Sequence, residues 1–205
     1  MRLHEAARAL NARAVGDDVE LAGVSTDTRT LPAGCLFVAL KGPRFDGHAY
    51  AAAALAQGAA AVMVESGAGL EVSPALVVEN TRLALGRLAA WHRTNMPARL
   101  VAITGSNGKT TVKEMVAAIL AEEAGGEAVL ATRGNLNNDI GMPLTLLRLT
   151  PAHRYAVIEM GMNHPGELAY LTELARPDVA LVNNALRAHL EGLGSVEAVA
   201  RAKGE

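Results

Sequence analysis

The sequence predicts an α/β protein in two parts: a small N-terminal α/β domain, then an incomplete phosphate-loop-type (P-loop-type) parallel sheet. Residues 100–120 read L-V-A-I-T-G-S-N-G-K-T-T-V-K-E-M-V-A-A-I-L, an apolar β-branched run, a Gly-rich turn and a helical pattern. On both sides of it, short apolar runs alternate with helical patterns, the spacing that winds parallel sheets by right-handed crossovers. Half of the 205 residues are apolar but only 3% are aromatic, so the core must be built from Ala, Val and Leu.

In chain order, residues 3–10 read as a short helix and 19–25 as a strand. Ser25-Thr26-Asp27-Thr28-Arg29 is a polar loop, and Pro32 and Gly34 turn the chain into a strand at 35–40. A second polar loop, 41–48, follows at once. These loops are either solvated connections or two neighbours at one edge of a small sheet, offering donors to a polar ligand. Residues 48–57 read as an Ala-rich helix stopped by Gly58, with short buried strands at 60–65 and 75–79. Asn80 can cap a helix over 81–94, with Ala84, Leu88 and Trp91 inward. The domain boundary is expected near 80–97, giving domains 1–80 and 81–205.

In the second part, Val112, Met115, Val116, Ile119 and Leu120 predict one buried helix face, with Lys113, Glu114 and Glu122 off it. Gly125 and Gly126 end that helix. A strand at 127–131, an amide-rich loop at 132–139, a helix at 140–149, a strand at 155–159 and a helix at 167–175 follow. Residues 179–182 read as another buried strand, ending in Asn183-Asn184. Polar residues at the carboxyl ends of such strands share one rim, so residues 104–110, Glu159 and Asn183-Asn184 should converge.

The turn Gly105-Ser106-Asn107-Gly108 lets backbone N–H groups and a helix N-terminus meet a polyphosphate, with Lys109 on the phosphates and Thr110 on a Mg²⁺. The general phosphate-loop pattern has a further Gly where this chain has Ile103, so the loop is a shortened form. Taken alone, such a turn is either a nucleotide site or an ordinary strand-to-helix connection. Glu159 can complete the coordination of that Mg²⁺, or stand as a solvated strand end. His189 reads as an exposed loop histidine and Lys203 as a surface lysine. The last helical pattern, 195–205, stops without a visible cap or sheet partner. It is expected to fray, leaving Lys203 solvated and protonated and this chain inactive alone.

Composition excludes several classes. A net charge of −2 and few aromatics argue against a nucleic-acid partner. Cys35 is the sole cysteine, which rules out an internal disulfide and a cysteine-rich zinc site and suits a reducing, cytoplasmic setting. The sequence has no signal-peptide core and no run of about 20 apolar residues, so membrane insertion is not expected.

Together these stretches resemble the Mur ligases of bacterial cell-wall synthesis. T-G-S-N-G-K-T-T is similar to their phosphate loop, and S-T-D-T-R with P-A-G-C-L-F-V-A-L-K-G-P-R-F-D-G-H to their UDP-binding N-terminal domain. G-N-L-N-N-D-I-G-M-P-L-T-L-L, V-I-E-M-G-M-N-H-P-G-E and N-N-A-L-R-A-H-L-E-G-L-G-S look most like the D-alanyl-D-alanine-adding branch. The resemblance implies an ATP-dependent amide ligase joining D-alanyl-D-alanine to UDP-N-acetylmuramoyl-tripeptide through an acyl phosphate, with family members about twice this long and a C-terminal domain absent here. It implies ATP contacts from Gly105, Ser106, Asn107, Gly108, Lys109, Thr110 and Thr111. Thr110 and Glu159 would bind a first Mg²⁺. His189 and a carbamylated Lys203 would bind a second, making Lys109, Glu159, His189 and Lys203 the catalytic set. Ser25, Thr26, Arg29, Asn137 and Asn138 would contact the UDP-sugar. The alternatives are a sister ligase adding the third amino acid, against which N-L-N-N-D-I-G argues, and a non-catalytic UDP-sugar or nucleotide-binding fragment.

Overall fold

The computed structural model describes residues 1–188, 192 and 194–205; His189 lies outside them. The chain forms two compact units, Met1–Leu88 and Ala89–Glu205.

The first unit runs α1 (Leu3–Leu10), β1 (Arg13–Val15), β2 (Val24–Ser25), β3 (Leu36–Val38), β4 (Lys41–Gly42), β5 (Phe45–Asp46), α2 (Ala51–Ala56), β6 (Ala61–Glu65) and β7 (Ala75–Val78). Its five-stranded sheet has the order β1-β7-β6-β3-β2, parallel except for β1, which pairs antiparallel with β7. Both faces of β3 and β6 are buried, as a parallel sheet between covering layers requires. On one face Cys35, Phe37, Ala39, Val62 and Val64 pack with Ala51 and Ala54 of α2. The expected strand at 19–25 shrinks to Val24–Ser25. Val19 and Leu21 instead bond the chain start, through Leu3 N–H to Val19 O (2.9 Å) and Leu21 N–H to Met1 O (2.8 Å). The polar loop 41–48 contains a small hairpin of β4 on β5, and the Ala-rich helix begins as a 3-10 turn at Gly47–Tyr50.

Helix α3 (Thr81–Thr94) crosses the division between the units. As expected, Asn80 Oδ1 caps it, accepting from Leu83 N–H at 2.9 Å. Within the second unit, Arg93 and the Leu100 N–H both bond the Asp178 carboxylate, which pins the entry to the sheet.

The second unit continues with β8 (Arg99–Thr104), α4 (Lys109–Ala124), β9 (Val129–Ala131), α5 (Gly141–Leu146), β10 (Tyr155–Glu159), α6 (Glu167–Ala175), β11 (Val179–Val182) and α7 (Val196–Lys203). The sheet order β11-β8-β10-β9 is parallel throughout, so every strand carries its carboxyl end to one rim. The strand expected at 127–131 begins only at Val129, after a 3-10 turn, and the helix expected over 140–149 is the shorter α5.

Three sequence expectations fail here. The inner face of α4 is not the five-residue apolar stripe: Met115 and Ile119 are 61% and 68% exposed, whereas Lys113 is 1% exposed. Ala117 and Ala121 are half-buried together with Val112, Val116 and Leu120, so the covered face of the helix is turned away from Met115 and Ile119. β11 is not buried: among the described residues it stands at the edge of the sheet, and Val179 is 58% exposed. Nor does the last helix fray: Ser195 Oγ caps α7 by accepting from Ala198 N–H (3.1 Å), and Val199, Ala202 and Lys203 are buried. The Glu205 carboxylate accepts from Gly166 N–H at 2.9 Å, holding the terminal turn against the start of α6.

Candidate nucleotide site

The strand-to-helix turn after β8 is built by close approach. A Cβ at Gly105 would stand 3.0 Å from Asn183 Cβ, and one at Gly108 would meet Asn183 Nδ2 at 3.0 Å. Gly108 also takes φ +73° at the N-cap of α4, a left-handed conformation that favours glycine. No side chain caps this helix, so the N-terminus of a 16-residue dipole carries only backbone donors, a natural seat for an anion. The loop's N–H groups do not all converge on one point as expected. Asn107 N–H donates to Asn184 Oδ1 (3.0 Å) and Ser106 N–H to Asn184 O (3.0 Å), so the segment after β11 brackets the turn. Asn183 and Asn184 amides both donate to Asn107 O, at 2.8 and 3.0 Å. The rim expected from the strand ends is therefore assembled.

Lys109 Nζ donates to Gly105 O at 2.8 Å, folding the ammonium back over the turn. One residue on, Thr110 Oγ1 donates to Glu159 Oε2 at 2.8 Å, while Asn137 Nδ2 donates to Glu159 Oε1 at 2.7 Å. Glu159 is 2% exposed, and its N–H donates to Thr132 Oγ1 at 2.9 Å. A hydroxyl and a carboxylate oxygen thus face each other at the foot of an uncapped helix. Among the described residues no group of three or more His, Cys, Asp or Glu could hold a metal ion by itself. Hard oxygen donors with a single carboxylate suit Mg²⁺ shared with substrate phosphates, rather than an all-protein cage.

Lys203 is 4% exposed. Burial, and then the nearby Lys109 charge, draw its pKa from the usual lysine value of 10.5 down to about 8. The solvated Lys203 expected from the sequence is therefore incorrect, since the helix that carries it is seated through Val199 and Ala202, although an amine with a pKa of about 8 is still mostly protonated at neutral pH. Asn138 Oδ1 accepts from Gly141 N–H at 2.8 Å and so serves the start of α5, while Asn137 reaches the carboxylate. Sequence reading missed Thr132 and Lys113; a lone loop threonine and an off-stripe lysine carry no signal without the tertiary contacts.

In the first unit, the loops after β2 and β3 leave the same edge of the sheet, as neighbouring parallel strands dictate. Asp27 accepts from Arg29 N–H (2.9 Å) and from its guanidinium (2.6 Å), and this pairing holds the Asp27 carboxyl down at about 2. Ser25 Oγ bonds the Asp27 backbone, and Thr26 lies between. Behind the second loop His48, 7% exposed, bridges Asp46 Oδ1 (2.6 Å) and Glu65 N–H (2.9 Å). Because Nε2 accepts from an amide, the proton of a neutral ring sits on Nδ1.

A parallel sheet that runs through a Gly-Lys-Thr turn into an uncapped helix, with a carboxylate at the next strand's end, defines a phosphate-loop nucleotide-binding fold. Residues 103–205 match the Mur ligase middle domain and residues 20–101 the Mur ligase family catalytic domain. The chain belongs to the Mur ligase family.

The chain is 58% identical over 196 residues to UDP-N-acetylmuramoyl-tripeptide–D-alanyl-D-alanine ligase of Escherichia coli K12, covering 96% of this chain and 42% of that protein. The crystal structure of MurF from Acinetobacter baumannii superposes with a TM-score of 0.87 at 39% identity, over 98% of this chain and 44% of that one. MurF ligase from Thermotoga maritima in complex with ADP gives 0.79 at 35% identity, over 88% and 42%. The chain spans less than half the length of these relatives.

Proposed function

We propose that this chain supplies the UDP-sugar-binding and nucleotide-binding parts of a cytoplasmic, Mg²⁺- and ATP-dependent ligase that joins D-alanyl-D-alanine to UDP-N-acetylmuramoyl-tripeptide. The observation that carries the reading is Thr110 Oγ1 on Glu159 Oε2 at 2.8 Å, immediately after a Gly-Lys-Thr turn. The identity to a named D-alanyl-D-alanine ligase supports the substrate.

A carboxylate becomes an electrophile when its oxygen attacks the γ-phosphorus of ATP and ADP leaves. The dipeptide amine then attacks the acyl carbon, phosphate departs and the amine loses a proton. Negative charge grows on the phosphoryl oxygens, and a preorganised cation there is worth several kcal/mol, typically about 3. Lys109 is that cation, delivered by the turn that also aims the α4 N-terminus. Mg²⁺, when bound, supplies Lewis-acid charge neutralisation, with Thr110 and Glu159 as its holders. Lys203, partly neutral near pH 8, can add CO₂ through its lone pair and release a proton, becoming an anionic carbamate suited to a second Mg²⁺. His189 is assigned beside it from the family pattern alone. Ser25, Thr26 and Arg29 belong to the UDP-sugar side, with Asn137 and Asn138 toward the sugar.

Calorimetric titration of ATP and Mg²⁺ into wild type and Lys109→Ala tests the reading. Binding in wild type and its loss in the variant, with an unchanged melting temperature, is the expected result. Equal affinities would overturn it. Titration with the UDP-muramoyl tripeptide and an amide-product assay in a longer protein carrying this sequence test the substrate.

A further inference from the structure

Lys113 is almost fully buried on a helix whose apolar Met115 and Ile119 face outward. A buried ammonium persists only where its protons are bonded. Lys113 Nζ donates to Thr132 O at 2.7 Å and to Glu114 Oε1 at 2.6 Å. Thr132, also buried, is fixed to the sheet by its own N–H on Val157 O (3.0 Å), and its hydroxyl accepts the Glu159 N–H at 2.9 Å. Glu159 in turn accepts from Thr110 Oγ1 at 2.8 Å. The circuit closes because Thr110 and Lys113 stand three residues apart on α4 and share a face.

We propose that Lys113 is a positioning residue for Glu159: its ammonium ties the start of the 132–139 segment to α4, so that Thr132 fixes the Glu159 backbone and Asn137 holds the carboxylate toward Thr110. An apolar side chain of similar length would fill the same volume without the desolvation penalty of a buried charge. It could not hold the Thr132 carbonyl. The stem of the lysine packs as a hydrophobe while its tip does the anchoring. This assignment rests on the reading of Glu159 as a Mg²⁺ holder.

The test compares wild type, Lys113→Met and Lys113→Gln in the 205-residue chain. One arm needs no ligand: amide hydrogen exchange at Glu159 and across 132–139 should accelerate about 10-fold in Lys113→Met and less in Lys113→Gln, whose amide can still donate to the Thr132 carbonyl. The second arm titrates ADP with and without Mg²⁺. Residues that orient metal holders typically affect metal affinity by about 10- to 100-fold, so the Mg²⁺-dependent gain should fall by at least about 10-fold in Lys113→Met. Its metal-free ADP affinity should stay within about twofold of wild type.

Unchanged exchange and an unchanged Mg²⁺-dependent gain would overturn the assignment. So would an equal loss of ADP affinity with and without Mg²⁺, which marks a general packing role. If Lys113→Met does not fold, Lys113→Gln carries both comparisons with the same criteria. Faster exchange in the variants beside a wild type that ignores Mg-ADP would overturn the nucleotide reading and leave the anchoring itself standing.

Discussion

Lys203 and Lys109 bring two ammonium groups within electrostatic reach, and it is the buried Lys203 whose pKa is drawn down to about 8. Its folded value lies below the unfolded one, so the unfolded state binds the extra proton between about 8 and 10.5. The resulting destabilisation is fully present below pH 8 and is relieved as pH rises toward 10.5. Lys203→Met should therefore exceed wild type in stability at pH 7, and the gap should narrow as pH rises. Urea unfolding at several pH values measures this. ¹³C NMR in labelled bicarbonate should show a carbamate signal that is absent in Lys203→Met.

Glu159→Gln keeps the shape of the group that Thr110 and Asn137 address and removes its charge. The melting temperature should move little. Mg²⁺-dependent ADP affinity should fall at least about 10-fold, the equivalent of ~1.4 kcal/mol. Calorimetry with and without Mg²⁺ reads the difference, and a variant that unfolded while retaining full metal dependence would count against a metal role.

Gly108→Ala combines a left-handed φ of +73° with a Cβ placed 3.0 Å from Asn183 Nδ2. The strain alone is roughly 1–2 kcal/mol, and Asn183 must also give way. Lower stability and weaker nucleotide binding are expected together. Adding Asn183→Ala to Gly108→Ala should recover part of the stability, since it removes the obstructing amide; no recovery would mean that φ strain alone sets the loss.

His48→Leu leaves the Glu65 N–H without its 2.9 Å acceptor and Asp46 without its ring partner. An unpaired amide in a part-buried setting should destabilise the first unit by about 1–3 kcal/mol. Unfolding of an isolated Met1–Leu88 segment is not required; residue-resolved hydrogen exchange in the full chain places the loss, which should centre on β6 and the 41–48 loop.

The sequence by itself determined the strand–turn–helix at residues 100–120, the capping of α3 by Asn80 and the shared rim of Thr110, Glu159 and Asn183-Asn184. Each follows from local patterns: period, turn residues and the rule that parallel strands end on one side. It also carried the family, because the motifs occur in order over both units. Tertiary structure alone decided which face of α4 turns inward, whether β11 has neighbours on both sides, and whether α7 is seated. Helical periodicity marks a stripe of residues, not the rotation of that stripe against a sheet. Lys113 is buried because a carbonyl 19 residues away receives its proton. The Lys203 pKa is lowered because burial and the Lys109 charge act on it only after folding. Burial and electrostatics are properties of neighbours in space, and those neighbours come from distant parts of the chain.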